Sequence, residues 1–336
     1  MRANLKAFEQ WRIVPRHLRN IAERDLRVTI FGQTHRVPFL LAPIGVQGII
    51  HRDGEVAVAR AAARLNVPVV LSTASSKTME EVASAMDRSP RWFQLYWPKD
   101  PELAKSFIKR AEAASYAVLV VTLDTPLLSW RERDIQNAYL PFLEGDGLAN
   151  YFSDPVFRAA LKEPPEKQPL AAVRHFAQVF SNAAWTWSDL KWLRKQTGLP
   201  IVLKGILHPD DAKMALRYGA DGIMVSNHGG RQVDGAIAAL DALPAVVKAV
   251  GSRTTVLFDS GIRRGADVFK AIALGARAVL LGRPYMWGLA VGGEKGVRHV
   301  LENFIADIDL TLGLAGYTSF AQLNQHTLFR QTAKQV

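Results

Sequence analysis

A chain of 336 residues, 49% of them hydrophobic and 22% charged, has the apolar content to fill a large core, so order rather than disorder is expected. The absence of cysteine removes disulfides, thiolate nucleophiles, zinc-thiolate centres and cysteine-held clusters, and leaves redox chemistry to a bound cofactor. The formal charge of +11 favours anionic partners, but Lys and Arg are scattered, with no basic stripe interleaved with aromatics; they read as solvated helix faces, and nucleic acid is not an expected partner.

The opening residues, Met1 to Phe8, lack an apolar signal stretch, and no later apolar run is long enough to span a bilayer. No membrane partner is expected, and the cytoplasm is the expected location. Short runs rich in Val, Ile and Leu, bounded by Gly or Pro, then alternate with longer amphipathic stretches, the pattern of repeated βαβ units. Strands are expected at 39–42, 69–71, 92–95, 118–121, 201–203, 222–225, 256–258 and 278–281. Helices fit between them at 55–65, 78–86, 101–114, 187–197, 209–218, 240–250 and 265–274, with Pro101 and Pro209 suited to first turns and Thr186 and Ser188 as candidate caps. Eight strands alternating with helices predict a single α/β domain over 1–336, a (β/α)8 TIM barrel. One connection is too long for a plain connector: the stretch 127–185, with Gly145, Gly147, Pro155, Pro164, Pro165 and Pro169, reads as a lid insertion over the open face after the fourth strand.

Polar residues collect just after the strands: Pro43, Ser72, Gln94 with Tyr96, Thr122 with Asp124, Lys204, Ser226 to His228, Asp259, and Gly282 with Arg283. All strand C-termini of a parallel barrel open on one face, so these residues converge although they are far apart in sequence. The densest segment runs from Ser226 to Asp234. In it, His228 can take up a proton near neutral pH, Arg231 offers a planar fork for a carboxylate, and Gly229 with Gly230 allows a sharp turn. Asp124 is placed to hold His228 in one tautomer, or else to cap a turn ahead of Pro126. Arg131 is a second candidate for the carboxylate, whereas Arg133 reads as a surface charge. Lys204 puts an ammonium in the barrel mouth, where it can stabilise negative charge on a reduced cofactor. Gln94 and Tyr96 present an amide and a phenol, which serve equally as the polar tips of a packed strand end.

Asp259 to Gly265 and Gly282-Arg283-Pro284 follow the last two strands, where barrels commonly hold phosphate. Backbone N–H groups of a glycine-rich loop, a helix N-terminus and an Arg suit a dianion. No Walker motif is present, so a nucleoside triphosphate is not the expected ligand. A flavin mononucleotide, with one phosphate and a redox-active ring, satisfies both the phosphate site and the missing thiols. No metal is expected.

Phe93 to Tyr96, Lys204-Gly205, Ser226 to Asp234, Asp259 to Gly265 and Gly282 to Pro284, in that order, make the chain resemble the FMN-dependent 2-hydroxy-acid oxidising family across nearly its full length. Within it, Leu140 to Leu143, Ser153 to Phe157 and Gly205 to Asp211 look like the lactate 2-monooxygenase branch. The resemblance implies His228 as base, Asp124 as its partner, Arg131 and Arg231 on the substrate carboxylate, and Tyr96 on the substrate oxygen. For FMN it implies Pro43, Ile44, Gly45, Ser72, Gln94, Thr122, Lys204, Ser226, Asp259, Gly261, Arg263, Gly282 and Arg283. Ala74 stands where relatives with larger substrates carry a bulky aromatic, which implies a small acid such as lactate.

The implied reaction takes a proton to His228 and a hydride to the flavin N5, and lactate with O2 ends as acetate, CO2 and water. An oxidase or dehydrogenase that releases the 2-keto acid is the alternative among enzymes, and a flavin-binding protein without catalysis is the alternative outside them. Relatives of this kind imply a homo-oligomer, a tetramer or octamer. They begin with a helical segment whose Tyr also binds the carboxylate. This sequence opens at Met1-Arg2-Ala3-Asn4, past that point, which implies a raised Michaelis constant and a less closed barrel mouth.

Overall fold

The computed structural model describes residues 1–331. Eight parallel strands close into a barrel: β1 (Phe39–Leu41), β2 (Val69–Ser72), β3 (Arg91–Leu95), β4 (Leu119–Thr122), β5 (Ile201–Ile206), β6 (Gly222–Val225), β7 (Thr255–Phe258) and β8 (Ala278–Leu281). Each pairs with the next, and β8 returns to β1 with Leu280 opposite Leu40. The fold is the (β/α)8 barrel that the alternating pattern predicts.

Both faces of every strand are buried, which is why the strands read as continuous apolar runs. Leu40, Val70, Trp92, Val120, Val202, Met224, Leu257 and Leu280 fill the barrel interior. Their neighbours Phe39, Leu41, Leu71, Phe93, Val121, Leu203, Phe258 and Leu281 pack outward in the larger core under the helices. At the strand N-termini a hairpin of Val28–Ile30 with Gln33–His35 adds Val28 and Ile30 to the inner core, and its Phe31 packs 5.8 Å from Trp92. No helix among the described residues is long and apolar enough to cross a membrane.

Seven of the helices stand within a few residues of their expected places, from Gly54–Arg64 to Gly265–Ala273. Pro101 and Pro209 do sit in first turns, and Thr186 forms a reciprocal cap with Asp189. The eighth, Arg283–Leu314, was not expected from periodicity, because glycines at 288, 292, 293 and 296 dilute its pattern. Gly292 and Gly293 leave helical geometry and break the run, so its two halves fold back on each other. A Cβ on Gly288 would lie 2.7 Å from the Gly296 carbonyl oxygen.

A second departure matters more to the site. β5 runs past Leu203 to Ile206, with its register against β6 shifting between Lys204 and Ile206. Gly205 takes φ +108° there, and a Cβ would lie 2.8 Å from the Asp124 Cβ. The glycine lets the ends of β4 and β5 approach closely enough to share one polar cluster.

The 127–185 insertion is built of short helices, Glu132–Gln136, Ala149–Phe152, Pro155–Ala159 and Pro169–Val179. Tyr151 anchors it, with ring centroids 5.0 Å from Phe107, 5.6 Å from Phe157 and 4.9 Å from Phe176. Fully buried Asp154 caps Pro155–Ala159 and pairs with Arg110 at 3.1 Å, which fastens the insertion to helix Pro101–Ala113.

Candidate active site

At the C-terminal face of the barrel the strand ends open into a cavity of about 450 Å3. Its floor and walls carry Pro43, Ile44, Gly45, Ser72, Lys204, Asp259, Gly261, Arg263, Gly282 and Arg283, together with Tyr96, His228, Arg131 and Arg231. Gln94, Thr122 and Ser226 do not line it. They lie beneath: the Ser72 hydroxyl donates to Gln94 Oε1 at 3.1 Å, and Gln94 Nε2 donates to Thr122 Oγ1 at 2.9 Å. Ser226 accepts from Lys204 Nζ at 3.1 Å.

The turn after β6 carries His228. His228, Gly229 and Gly230 take φ values of +56°, +66° and +74°, three left-handed residues in succession. A non-glycine residue there is strained, and the surrounding bonds hold it. The His228 N–H donates to Ser226 Oγ at 3.1 Å, and the Gly229 N–H to Ser260 Oγ at 3.0 Å. The imidazole Nδ1 lies 2.7 Å from Asp124 Oδ1, with Thr125 Oγ1 at 3.4 Å. An ionised carboxylate at that distance accepts, so Nδ1 carries the proton and Nε2 keeps its lone pair.

Electrostatics favour this state. Burial and the Lys204 charge push the His228 pKa below its ordinary 6.5, against the pull of Asp124. The Asp124 carboxyl, which burial alone would raise, is held below the usual range by Lys204 and His228. Lys204, 3% exposed, has Asp124 Oδ2 at 3.8 Å and Asp259 Oδ2 at 3.7 Å; the two carboxylates outweigh burial and keep it charged. Burial raises the Tyr96 phenol, so it stays protonated.

Two anion-seeking clusters share the cavity. Burial and the neighbouring Arg231 depress the Arg131 guanidinium, whose nearest carboxylate, Asp134, is 3.9 Å away. On the other side, burial lowers the pKa of both Arg263 and Arg283, and the Arg263 and Arg231 charges lower that of Arg283 further. Among the described residues no carboxylate lies within 4.0 Å of Arg231, Arg263 or Arg283 in an ion pair. Partly buried cations without a counter-ion call for one from a ligand.

The two loops expected to hold a phosphate differ in the donors they leave free. At the start of helix Gly265–Ala273, the N–H groups of Arg263 and Arg264 donate to Asp267 at 2.9 and 3.0 Å, and that of Gly265 donates to Asp307 at 2.6 Å. Carboxylates already satisfy that helix end. The helix start left without a side-chain cap at this face is Arg283–Leu314, entered through Gly282. Arg263 and Arg283 with the Gly282 end of β8 offer free donors to a dianion. A cationic pocket at one end, a buried ammonium at the centre and an imidazole beyond it fit an elongated mononucleotide with a redox ring.

Sequence reasoning missed several walls of this cavity. Leu128, Tyr139, Leu140, Pro141, Phe142 and Phe180, all from the insertion, cover its mouth. Only the unusual length of the connection signalled them. Ser260, at φ +81°, takes a hydroxyl role unnoticed between Asp259 and the catalytic turn: it donates to Asp259 Oδ1 at 2.7 Å and accepts from Gly229.

A closed parallel barrel with cationic anion sites around a His–Asp pair defines a flavin-dependent oxidoreductase of the FMN-dependent dehydrogenase family, to which the chain belongs; the family model matches residues 1–330. Its cofactor is FMN. The chain is 48% identical to an FMN-dependent alpha-hydroxy acid dehydrogenase of Penicillium citrinum, over 98% of this chain and 83% of that protein. It is 44% identical to an L-lactate oxidase of Lysinibacillus sphaericus, over 100% and 86%. A mandelate oxidase variant solved with a C4a-OH-FMN adduct superposes with a TM-score of 0.83 at 40% identity, covering 95% of this chain and 87% of that one. The protein is an FMN-dependent 2-hydroxy-acid oxidoreductase by family.

Proposed function

We propose that this enzyme oxidises a small L-2-hydroxy acid, with L-lactate the first substrate to test, and carries it to acetate in the manner of a lactate 2-monooxygenase. The observation that carries the reading is that His228, held from behind by Asp124, faces the same cavity as Arg131 and Arg231. Two guanidinium groups hold the substrate carboxylate and fix the adjacent carbon against the base. Tyr96, protonated, hydrogen-bonds the 2-oxygen. Neutral His228 accepts the hydroxyl proton at Nε2, and Asp124 stabilises the imidazolium that forms. Bound FMN supplies the acceptor for the two electrons. Pro43 to Gly45, Ser72, Lys204, Asp259, Gly261, Arg263, Gly282 and Arg283 would hold it, with Gln94, Thr122 and Ser226 fixing those side chains from below. Lys204 offsets the negative charge that reduction brings.

The small side chain of Ala74, walled by Val46 and Phe142, supports a short substrate. The insertion residues over the mouth support retention of the keto acid. Retained pyruvate and the hydrogen peroxide formed from O2 give acetate, CO2 and water, so that lactate and one O2 are consumed in all. If pyruvate escapes first, the enzyme is an oxidase, the reading favoured by the name of the Lysinibacillus relative.

The test is an anaerobic titration of the flavin-loaded protein with L-lactate, followed by air. Bleaching of the flavin and then acetate with CO2 support the monooxygenase reading. Pyruvate with peroxide replaces it by the oxidase, and a flavin spectrum indifferent to L-lactate and to other 2-hydroxy acids defeats both.

A further inference from the structure

We infer that Asn4, on the N-terminal helix (Arg2–Glu9), is a positioning residue for His228. The inference rests on His228 being the base. Asn4 and Asn227 are both buried, at 3% and 9% exposure, and their amides bond reciprocally: Asn4 Nδ2 donates to Asn227 Oδ1 at 2.7 Å, and Asn227 Nδ2 to Asn4 Oδ1 at 2.8 Å. Asn227 is the residue immediately before the base.

Three further bonds make this pair the fastening of the whole catalytic turn. Asn227 Oδ1 also accepts from the Gly230 N–H at 3.0 Å, which closes the left-handed run from His228 to Gly230. Asn227 Nδ2 donates to the Ile237 carbonyl at 3.1 Å, tying the far end of the loop. Asn4 Oδ1 accepts from the Ala239 N–H at 3.1 Å. Helix Ala239–Val250 starts behind Ala238, which has no side-chain oxygen, so Asn4 caps it from a distant segment. The strained turn keeps its shape only while these bonds over-determine it. Without the Asn4 amide, Asn227 loses one partner for its oxygen and one for its nitrogen, and the turn relaxes away from the 2.7 Å contact with Asp124.

The test compares wild type with Asn4→Ala, Asn227→Ala and the double variant, all loaded with FMN, alongside His228→Gln. Per bound flavin, each single variant should lower the limiting rate of anaerobic reduction by L-lactate by about 10- to 100-fold, because a shift of about 1 Å in a reacting group costs that much. The double variant should be no slower than the worse single one. The apparent Kd for L-lactate should change less than the rate, since Arg131 lies outside this turn and keeps its hold on the carboxylate even where Arg231, next to Gly230, loosens. Amide exchange across 226–239 should quicken in the same variants whether or not substrate is present. Asn4→Ser, whose single, shorter hydroxyl cannot reproduce the reciprocal amide pair, serves if the Ala variant does not accumulate.

A helix-packing role alone would lower Tm and leave the rate per flavin at the wild-type value, and that result overturns the inference. Normal reduction in His228→Gln would instead overturn the assignment of the base.

Discussion

His228 Nδ1 stands 2.7 Å from Asp124 Oδ1 across 104 positions of sequence, and this single contact decides which imidazole nitrogen keeps its lone pair. Asp124→Asn keeps the shape but offers an amide that can present its N–H to the ring and reverse the tautomer. Flavin reduction should then slow by about 10^3-fold, while FMN content stays at the wild-type level. Stopped-flow reduction under argon, with the flavin spectrum as a loading control, makes the measurement.

Lys204, buried at the cavity floor, faces two carboxylates at 3.7 and 3.8 Å. Lys204→Met leaves Asp124 and Asp259 without the charge they share, the one that holds Asp124 ionised. The expected cost is on the order of 3 kcal/mol of stability. FMN should be lost on gel filtration where the wild type retains it. Thermal unfolding with and without added FMN separates the two effects, and a variant as stable and as yellow as wild type would show that Lys204 does neither job.

Burial and the Arg231 charge lower the Arg131 pKa, and among the described residues the carboxylate paired with Arg131 is Asp134, at 3.9 Å. Replacing either by Met should raise the Michaelis constant for L-lactate by about 10- to 100-fold, the loss of one charge-assisted contact. Binding of oxalate, which needs no base, should weaken in parallel and can be followed through the flavin spectrum.

The barrel was legible because its strands are buried on both faces, so that runs such as Leu119–Thr122 carry no polar interruption until the strand end. That same interruption located the mouth: Thr122 with Asp124, Lys204 and His228 stand where apolar sequence stops. What stayed hidden is what no local period encodes. Asn4 and Asn227 meet across 223 positions, and nothing near either residue points to the other. Phe142, on the 3-10 turn Pro141–Glu144, and Phe180, at the end of helix Pro169–Val179, reach the cavity from short elements of the insertion, so the length of the connection was visible but their inward direction was not. Which of the two expected loops keeps free N–H groups was not legible, because Asp267 and Asp307 consume those of the helix start that follows the glycine-rich motif, and Asp307 lies far downstream on a helix whose glycines masked it.

The pH response follows from the direction of two shifts. Burial and Lys204 hold His228 below its ordinary 6.5, so the free enzyme keeps its base neutral until the pH falls under that value. The reduction rate at low substrate should therefore be flat through neutrality and fall on an acid limb centred below 6.5. Stability should fall in the same direction: below 6.5 the unfolded chain binds a proton at this histidine that the folded chain resists, so unfolding becomes easier as the pH drops toward the folded value. His35, lowered by burial alone, adds to the same slope. Asp124, also depressed when folded, adds its share only at more acid pH, below its ordinary 3.8. His228→Gln removes one contribution and leaves the others, so its Tm should decline less steeply than that of wild type between pH 7 and pH 5, measured at one fixed excess of FMN. Identical slopes for the two proteins would mean that His228 titrates alike in the folded and unfolded chain, and the acid limb of the rate would then have to belong to another group.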